Sequence, residues 1–376
     1  MRNFATLRKC SIRLFNNENS MPNTHPSRIT LPAEWAPQSA IQLTWPHAAT
    51  DWKPYLQAIT ATFVELAREI ARRQKLVIVS PEAEKVRELL LKELGEALLR
   101  NVRFCTCATN DTWARDHGAI TLCAADAAAD GRRECRLLDF KFNAWGEKFA
   151  WRADNDINRQ LLASGLLHGT MENHNDFVLE GGSIESDGQG TIMTTTSCLL
   201  APHRNQPLTQ PDIERRLKRV LHAEQVVWLE HGTLIGDDTD GHIDTIVRMA
   251  PDDTLLYVGC DDPADEHHAD FAALEMQLQR LRTMAGRPYR LLRLPMPRAM
   301  YDGGERLPAT YANFVILNGA VIVPTYRQPD NDRRAMEIIG EAFPDRELIG
   351  MDASTVVRQH GSLHCLTMQY PAGVVD

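Results

Sequence analysis

Three stretches of the chain carry the same succession of elements at nearly constant spacing, and this repetition limits the fold more than any other feature of the sequence. Hairpins are expected at 178–198, turning at Asp187-Gly188, at 243–259, turning at Pro251-Asp252-Asp253, and at 312–323, turning at Asn318-Gly319. Each is followed by a segment with apolar residues at helical spacing, at 211–222, 264–285 and 330–343, and then by a short apolar strand, at 225–229, 289–293 and 346–350. The hairpins begin at 178, 243 and 312, steps of 65 and 69 residues, which is the regularity of an internal repeat. Two fainter copies run through 39–80 and 117–172, with helical periodicity at 52–73, 82–99 and 153–166. The last strand, 363–369, has no helix after it, so it is expected to pair with Ile41–Trp45 and close the series into a ring. The expected architecture is one α/β domain, residues 31–376, of five ββαβ-like units about an axis, behind an irregular extension at 1–30.

Rotation about an axis brings residues at the same place in each unit to one end of that axis. Just before or at the first hairpin strand of successive units stand Asp116, Glu180, His242 with Asp244, and Cys365. Such a set presents three carboxylates, an imidazole and a thiol to a common cavity. Singly, each has a plainer reading. Asp116 beside Arg115 makes an ordinary ion pair, Glu180 before Gly181-Gly182 caps a turn, and Cys365 is a small buried apolar residue. His242 and Asp244, two apart, share a face if they lie on a strand. With Asp237, Asp238 and Asp240 the same stretch also reads as a metal site, although zinc sites want several His or Cys ligands and His231 is the only other one nearby. His364, adjacent to Cys365, points to the opposite face of a strand and is not expected to be its partner base.

Charge narrows the partners. Lys and Arg total 41 against 50 Asp and Glu, a formal charge of -9. That argues against a nucleic-acid groove or an anionic membrane as partner, since both need clustered Lys and Arg, and it suits a small cationic substrate. Eight cysteines show no regular framework, so they are read as reduced, which favours the cytoplasm. No apolar run approaches the ~20 residues needed to span a bilayer. Residues 1–20 are basic and lack the apolar core of a secretory signal, so an upstream start or a disordered tail is expected there.

Six stretches carry a family resemblance: LPAEWAPQSAIQLTWP at 31–46, NDTWARDHGAI at 110–120, LEGGSIESDGQGTIMTT at 179–195, TDGHIDTIVRMA at 239–250, YANFVILNGAVIVP at 311–324 and GSLHCLTMQYP at 361–371. In this order they resemble the agmatine deiminase family, the bacterial peptidylarginine-deiminase-like branch of the pentein guanidine-modifying enzymes. The resemblance implies a pentein five-bladed α/β propeller, no metal or organic cofactor, a homo-oligomer, and a place in polyamine (putrescine) biosynthesis. It implies Cys365 as nucleophile, His242 as general acid and base, Glu180 as the acid that orients the imidazole, and Asp116 and Asp244 as guanidinium clamps. Trp113 is a candidate wall of the cavity, with core packing as the equal alternative. Two motifs depart from the family. Gln359-His360-Gly361-Ser362-Leu363-His364-Cys365 stands where the family reads Gly-Gly-Gly-Asn-Ile-His-Cys, and His117-Gly118-Ala119 replaces Thr-Gly-Pro. Both changes flank the chemistry, so the reaction type is expected to survive better than the choice of agmatine. The competing functions are deimination of peptidyl or C-terminal arginine, amidinotransfer, metal-dependent hydrolysis through 237–244, and a non-catalytic binding module.

Overall fold

The computed structural model describes residues 29–127 and 133–376, so the expected extension at 1–30 lies almost wholly outside the described residues. Five times the chain forms an antiparallel strand pair whose second strand is followed by a helical segment and a third strand parallel to it. The units are Ile120–Ala124, Cys135–Lys141 and Thr170–Val178; Ile184–Ser186, Thr191–Thr195 and Gln225–Leu229; Val247–Ala250, Thr254–Gly259 and Arg290–Pro295; and Val315–Leu317, Ala320–Thr325 and Glu347–Asp352. The fifth joins the two ends of the chain, Thr367–Pro371 pairing antiparallel with Gln38–Thr44 and the latter parallel with Lys75–Ser80, so that Thr367 faces Leu43. The fold is mixed α/β. Its sheets stay separate, with two to four strands each, and among the described residues no sheet closes on itself.

The helices form where the periodicity places them. Gln210–Val220 starts on Thr209, whose side chain and backbone share the Asp212 carboxylate in a capping box, and it buries Ile213 and Leu217 while its charged residues face outward. Pro329–Ala342 begins on a proline, whose missing N–H costs nothing in the first turn, and buries Ala335, Ile339 and Ala342. The strands beneath the helices, such as Lys75–Ser80 and Ala320–Thr325, are buried almost end to end, as expected where both faces of a strand are covered.

The first strand of each unit is shorter than expected. The chain enters it through a tight turn, Gly181–Ser183 before Ile184–Ser186 and Ile243–Thr245 before Val247–Ala250. Polar residues that must all face the interior cannot alternate along a strand, and these turns carry them.

The cysteine expectation needs correction. Cys123 and Cys135 are direct register partners on paired strands and are joined by a disulfide. Two cysteines separated by a loop come opposite one another only once the hairpin has formed, so their spacing gave no sign of the bond. The cytoplasmic expectation loses one of its supports. Among the described residues no helix is long and apolar enough to cross a membrane.

Candidate active site

Every candidate residue sits on one of the turns rather than on a strand. Asp116 lies in the single helical turn Ala114–His117, Glu180 precedes Gly181–Ser183, and His242 leads Ile243–Thr245, which contains Asp244. Cys365 lies in a turn closed by Leu366 N–H donating to the Leu363 carbonyl (3.3 Å) and Thr367 N–H to that of His364 (3.0 Å). The expectation that strand alternation aligns His242 with Asp244 and separates His364 from Cys365 is therefore replaced by turn geometry.

The turns converge. The Asp116 carboxylate accepts from the Trp145 indole N–H (3.1 Å) and the Gly182 N–H (3.1 Å), and lies 3.6 Å from His242 Nδ1. Asp244 Oδ2 is 2.7 Å from His364 Nδ1 and 3.9 Å from the Cys365 sulfur. Asn313 Oδ1 lies 3.3 Å from that sulfur and accepts from the backbone N–H of His364 (3.0 Å) and Cys365 (3.3 Å). Glu180 is committed to Arg204, whose Nε lies 3.1 and 3.3 Å from its two oxygens. It makes no hydrogen bond to the imidazole, which instead faces Asp116 and Cys198. All five expected residues are buried, Cys365 being the most exposed at 5%.

Gly182 marks the meeting point. A methyl group added there would lie 2.6 Å from His242 Nδ1, 2.9 Å from Asp116 Oδ1 and 3.2 Å from Asp244 Oδ2. The first two contacts are too short to hold, so Gly182→Ala must push His242 and Asp116 away, with Asp244 crowded as well. A displacement near 1 Å at a reacting centre costs roughly 10²-fold. The variant should lose about that much turnover while its thermal melt moves little; turnover near the parent's would mean the spacing is not needed.

A small cavity opens beside this point and reaches it through Asp116 and Cys365. Asp116 and Cys365 form its base, Trp113 and Trp145 its walls, and Asp238 and His360 part of its rim. Trp113 lines the cavity and also packs on Trp52, with ring centroids 5.8 Å apart. The Gly361 position lets this ring approach, because a Cβ there would fall 2.3 Å from it.

The electrostatics follow from burial and crowding. Burial, opposed by the His242 charge and reinforced by Asp244 and Glu180, pushes Asp116 up to about 6. Burial also acts to raise Asp244, but the hydrogen bond and charge of His364 outweigh it and hold this carboxyl below its usual range. Burial, then Asp244 and Asp116, lift the Cys365 thiol well above its ordinary value. For His242, burial disfavours the charged ring, yet the neighbouring Asp116 and Cys198 raise it well above the usual range. These shifts favour a neutral thiol beside a charged imidazole.

Beneath Asp244 lies a buried charge network absent from the sequence reading. His364 Nε2 is 2.9 Å from Glu34, whose carboxylate accepts from Arg248 (2.7 Å). Arg248 also donates to Glu185 (2.6 Å) and to the Phe314 carbonyl (2.7 Å). Burial would raise Glu34, but His364, Arg248 and Arg115 hold it far below the usual carboxylate range. The network fixes His364, and His364 fixes Asp244.

The acidic stretch 237–244 does not gather as a metal site. Asp237 accepts from the Thr239 hydroxyl (2.6 Å) and the Gly241 N–H (2.7 Å), Asp240 pairs with Arg204 (2.5 Å) and Lys148 (2.9 Å), and His231 pairs with Asp270 (3.0 Å). Of the departures from the family pattern, His117 is a core residue. Its Nε2 lies 3.2 Å from the Thr44 hydroxyl, and burial pushes the ring down to about 3, so it stays neutral. His360 and Gln359, in contrast, line the cavity.

The model of the Porphyromonas-type peptidyl-arginine deiminase family matches residues 30–371. The chain belongs to this family. Among its relatives, a Shewanella baltica protein provisionally named an agmatine deiminase is 33% identical over 374 residues, covering 93% of this chain and 96% of its own. A Porphyromonas gingivalis crystal structure, provisionally named an arginine deiminase, is 48% identical with a TM-score of 0.85 over 93% of this chain and all of that one, 100%. The C. jejuni agmatine deiminase, solved as a cysteine-to-serine variant with substrate bound, is 36% identical with a TM-score of 0.82, covering 91% of this chain and 96% of its own.

Proposed function

We propose that this chain hydrolyses the guanidinium group of agmatine to a urea, releasing ammonia and N-carbamoylputrescine by way of a covalent adduct on Cys365. The reading is carried by the convergence of Asp116, His242 and Asp244 on one buried point, with the Cys365 sulfur 3.9 Å from Asp244 and with Asp116 and Cys365 lining a small cavity. It includes the five units standing about a common axis as a propeller, with the site at one end.

A guanidinium is planar and permanently charged, and its fork of N–H donors matches carboxylates. Asp116 and Asp244 hold it with its carbon against the sulfur. The thiol, too basic to ionise alone, meets a cation that offsets the two carboxylates, so substrate binding itself favours the thiolate, its proton passing to solvent. Addition of the thiolate to the carbon gives a tetrahedral adduct. The imidazolium of His242 then protonates the departing nitrogen as the C–N bond breaks, leaving ammonia and an S-alkylthiouronium. The neutral imidazole next takes a proton from water as the water oxygen attacks the thiouronium carbon. The C–S bond breaks, and the urea and the free cysteine result.

Agmatine also carries a distal amine, and Asp238 is the carboxylate at the cavity rim suited to receive it. Burial, with Asp237 beside it, pushes Asp238 up to about 6, and an ammonium nearby would favour its ionised form. The tryptophan walls suit the intervening methylenes. A second reading, deimination of free or C-terminal arginine, is favoured by His360 at the rim, a residue able to meet a carboxylate.

Ammonia release from agmatine, free arginine and a C-terminal-arginine peptide decides between the two. Agmatine should lead by kcat/KM, and Asp238→Asn should lower that value about 10- to 100-fold, the worth of one charged contact, while arginine turnover changes less. An equal fall for all three substrates would remove Asp238 from recognition. A lead by arginine or the peptide would reject agmatine.

A further inference from the structure

Cys198 has no part in the chemistry above, yet it stands beside it. It lies in the short helix Thr196–Leu199, after the strand Thr191–Thr195. Its sulfur, a Glu180 carboxylate oxygen and a His242 ring nitrogen lie within 4.8 Å of one another, and all three residues are fully buried, 0% exposed. A second observation fits a ligand there: His242 faces both Cys198 and the Asp116 carboxylate, 3.6 Å from its Nδ1, and neither ring nitrogen has a short hydrogen bond that a metal would have to break. Thiolate, imidazole and carboxylate are the donors of a three-ligand zinc site whose fourth position is left to water.

We propose that Glu180, Cys198 and His242 bind a thiophilic divalent cation, zinc being the best fit, and that its binding switches the catalytic centre off. The ion binds the Cys198 sulfur as thiolate and a lone pair of the neutral His242 ring, any proton on either passing to solvent. While the metal holds that lone pair, the ring can neither give nor accept a proton. The field suits a dication. Asp116 and Asp244 add their charge to that of Glu180, against the single opposing guanidinium of Arg204, 3.1 Å from Glu180. Magnesium and calcium, which prefer all-oxygen ligand sets, do not fit. A guanidinium seated on the same two aspartates competes with the ion, so inhibition should weaken as substrate rises.

The inhibitory half rests on His242 as the acid and base of the proposed reaction; the binding half does not, and it is tested first. Full-length Cys365→Ser protein is titrated with cobalt(II) alone as a coloured substitute for zinc. One equivalent should produce a thiolate-to-cobalt charge-transfer band that disappears when Cys198→Ser is added. Cys10, Cys105, Cys107 and Cys260 remain in both proteins and cancel in the difference. Absence of the band, or its survival without Cys198, would overturn the site, with Cys198→Ala and circular dichroism guarding against misfolding.

In the protein that keeps Cys365, zinc should suppress ammonia release and a chelator should restore it. Cys198→Ser should raise the zinc concentration needed about 10- to 100-fold. Inhibition indifferent to Cys198 would place the ion elsewhere and overturn the proposal. A Cys198-dependent band with turnover insensitive to zinc would overturn the switching-off half and the assignment of His242, leaving the metal site standing.

Discussion

Cys365→Ser should abolish ammonia release, by about 10³-fold or more, while leaving the fold and substrate binding intact. The sulfur occupies a buried position that a serine oxygen fills without new contacts, and the turn is held by backbone bonds and by Asn313. Chemistry alone is lost. A hydroxyl has far less anionic character than a thiol in any environment, and Asp116 and Asp244 make this environment hostile to an anion until the substrate cation arrives. Because those two carboxylates remain, the variant should still bind agmatine and be stabilised by it. Ligand at about 100 times its Kd raises stability by ~2.7 kcal/mol, visible as a higher Tm. Substantial ammonia release by the variant would refute the covalent route. Loss of turnover without any agmatine-induced rise in Tm would instead mean that the substitution had disturbed the cavity.

The repeat was legible because strands and helices bury apolar residues at fixed periods, and because connections of similar length place equivalent residues at similar intervals. The same logic singled out Asp116, Glu180, His242, Asp244 and Cys365 as candidates, all of them on turns at the starts of units. It also held a clue left unused: the hairpin expected from 312 named no candidate, and Asn313 stands at that place, 3.3 Å from the Cys365 sulfur. Local backbone shape was not legible. Alternation along a strand was assumed for residues that lie on turns, and this removed His364 from the site although its ring is 2.7 Å from Asp244. Glu34 and Arg248 escaped for a different reason. Their partners are distant in sequence, and a fully buried arginine shared among Glu34, Glu185 and two backbone carbonyls leaves no periodic trace. Asp238 could be named only once the cavity was seen to reach it.

Asp244→Asn should divide two properties that usually move together. The Asp244 carboxylate lies 3.9 Å from the sulfur and is the largest cause after burial that keeps the thiol from ionising. Removing its charge therefore shifts the Cys365 titration to lower pH in the substrate-free protein. At neutral pH the thiolate fraction rises, so alkylation by neutral iodoacetamide, measured against a Cys365→Ser background, should become faster than in the parent. Turnover should move the other way. An asparagine keeps the shape but offers the guanidinium no charge, and it can turn its own N–H toward the His364 nitrogen, so the clamp is both neutralised and misdirected. A loss of roughly 10²- to 10³-fold in kcat/KM is expected, the scale seen when one aligned electrostatic partner is removed from a dry site. Much of it should appear as a higher KM, because the clamp holds the cation in the ground state as well as in the transition state. Slower alkylation together with slower turnover would recast Asp244 as a structural residue. Faster alkylation with unchanged kcat/KM would show that Asp116 holds the substrate without it.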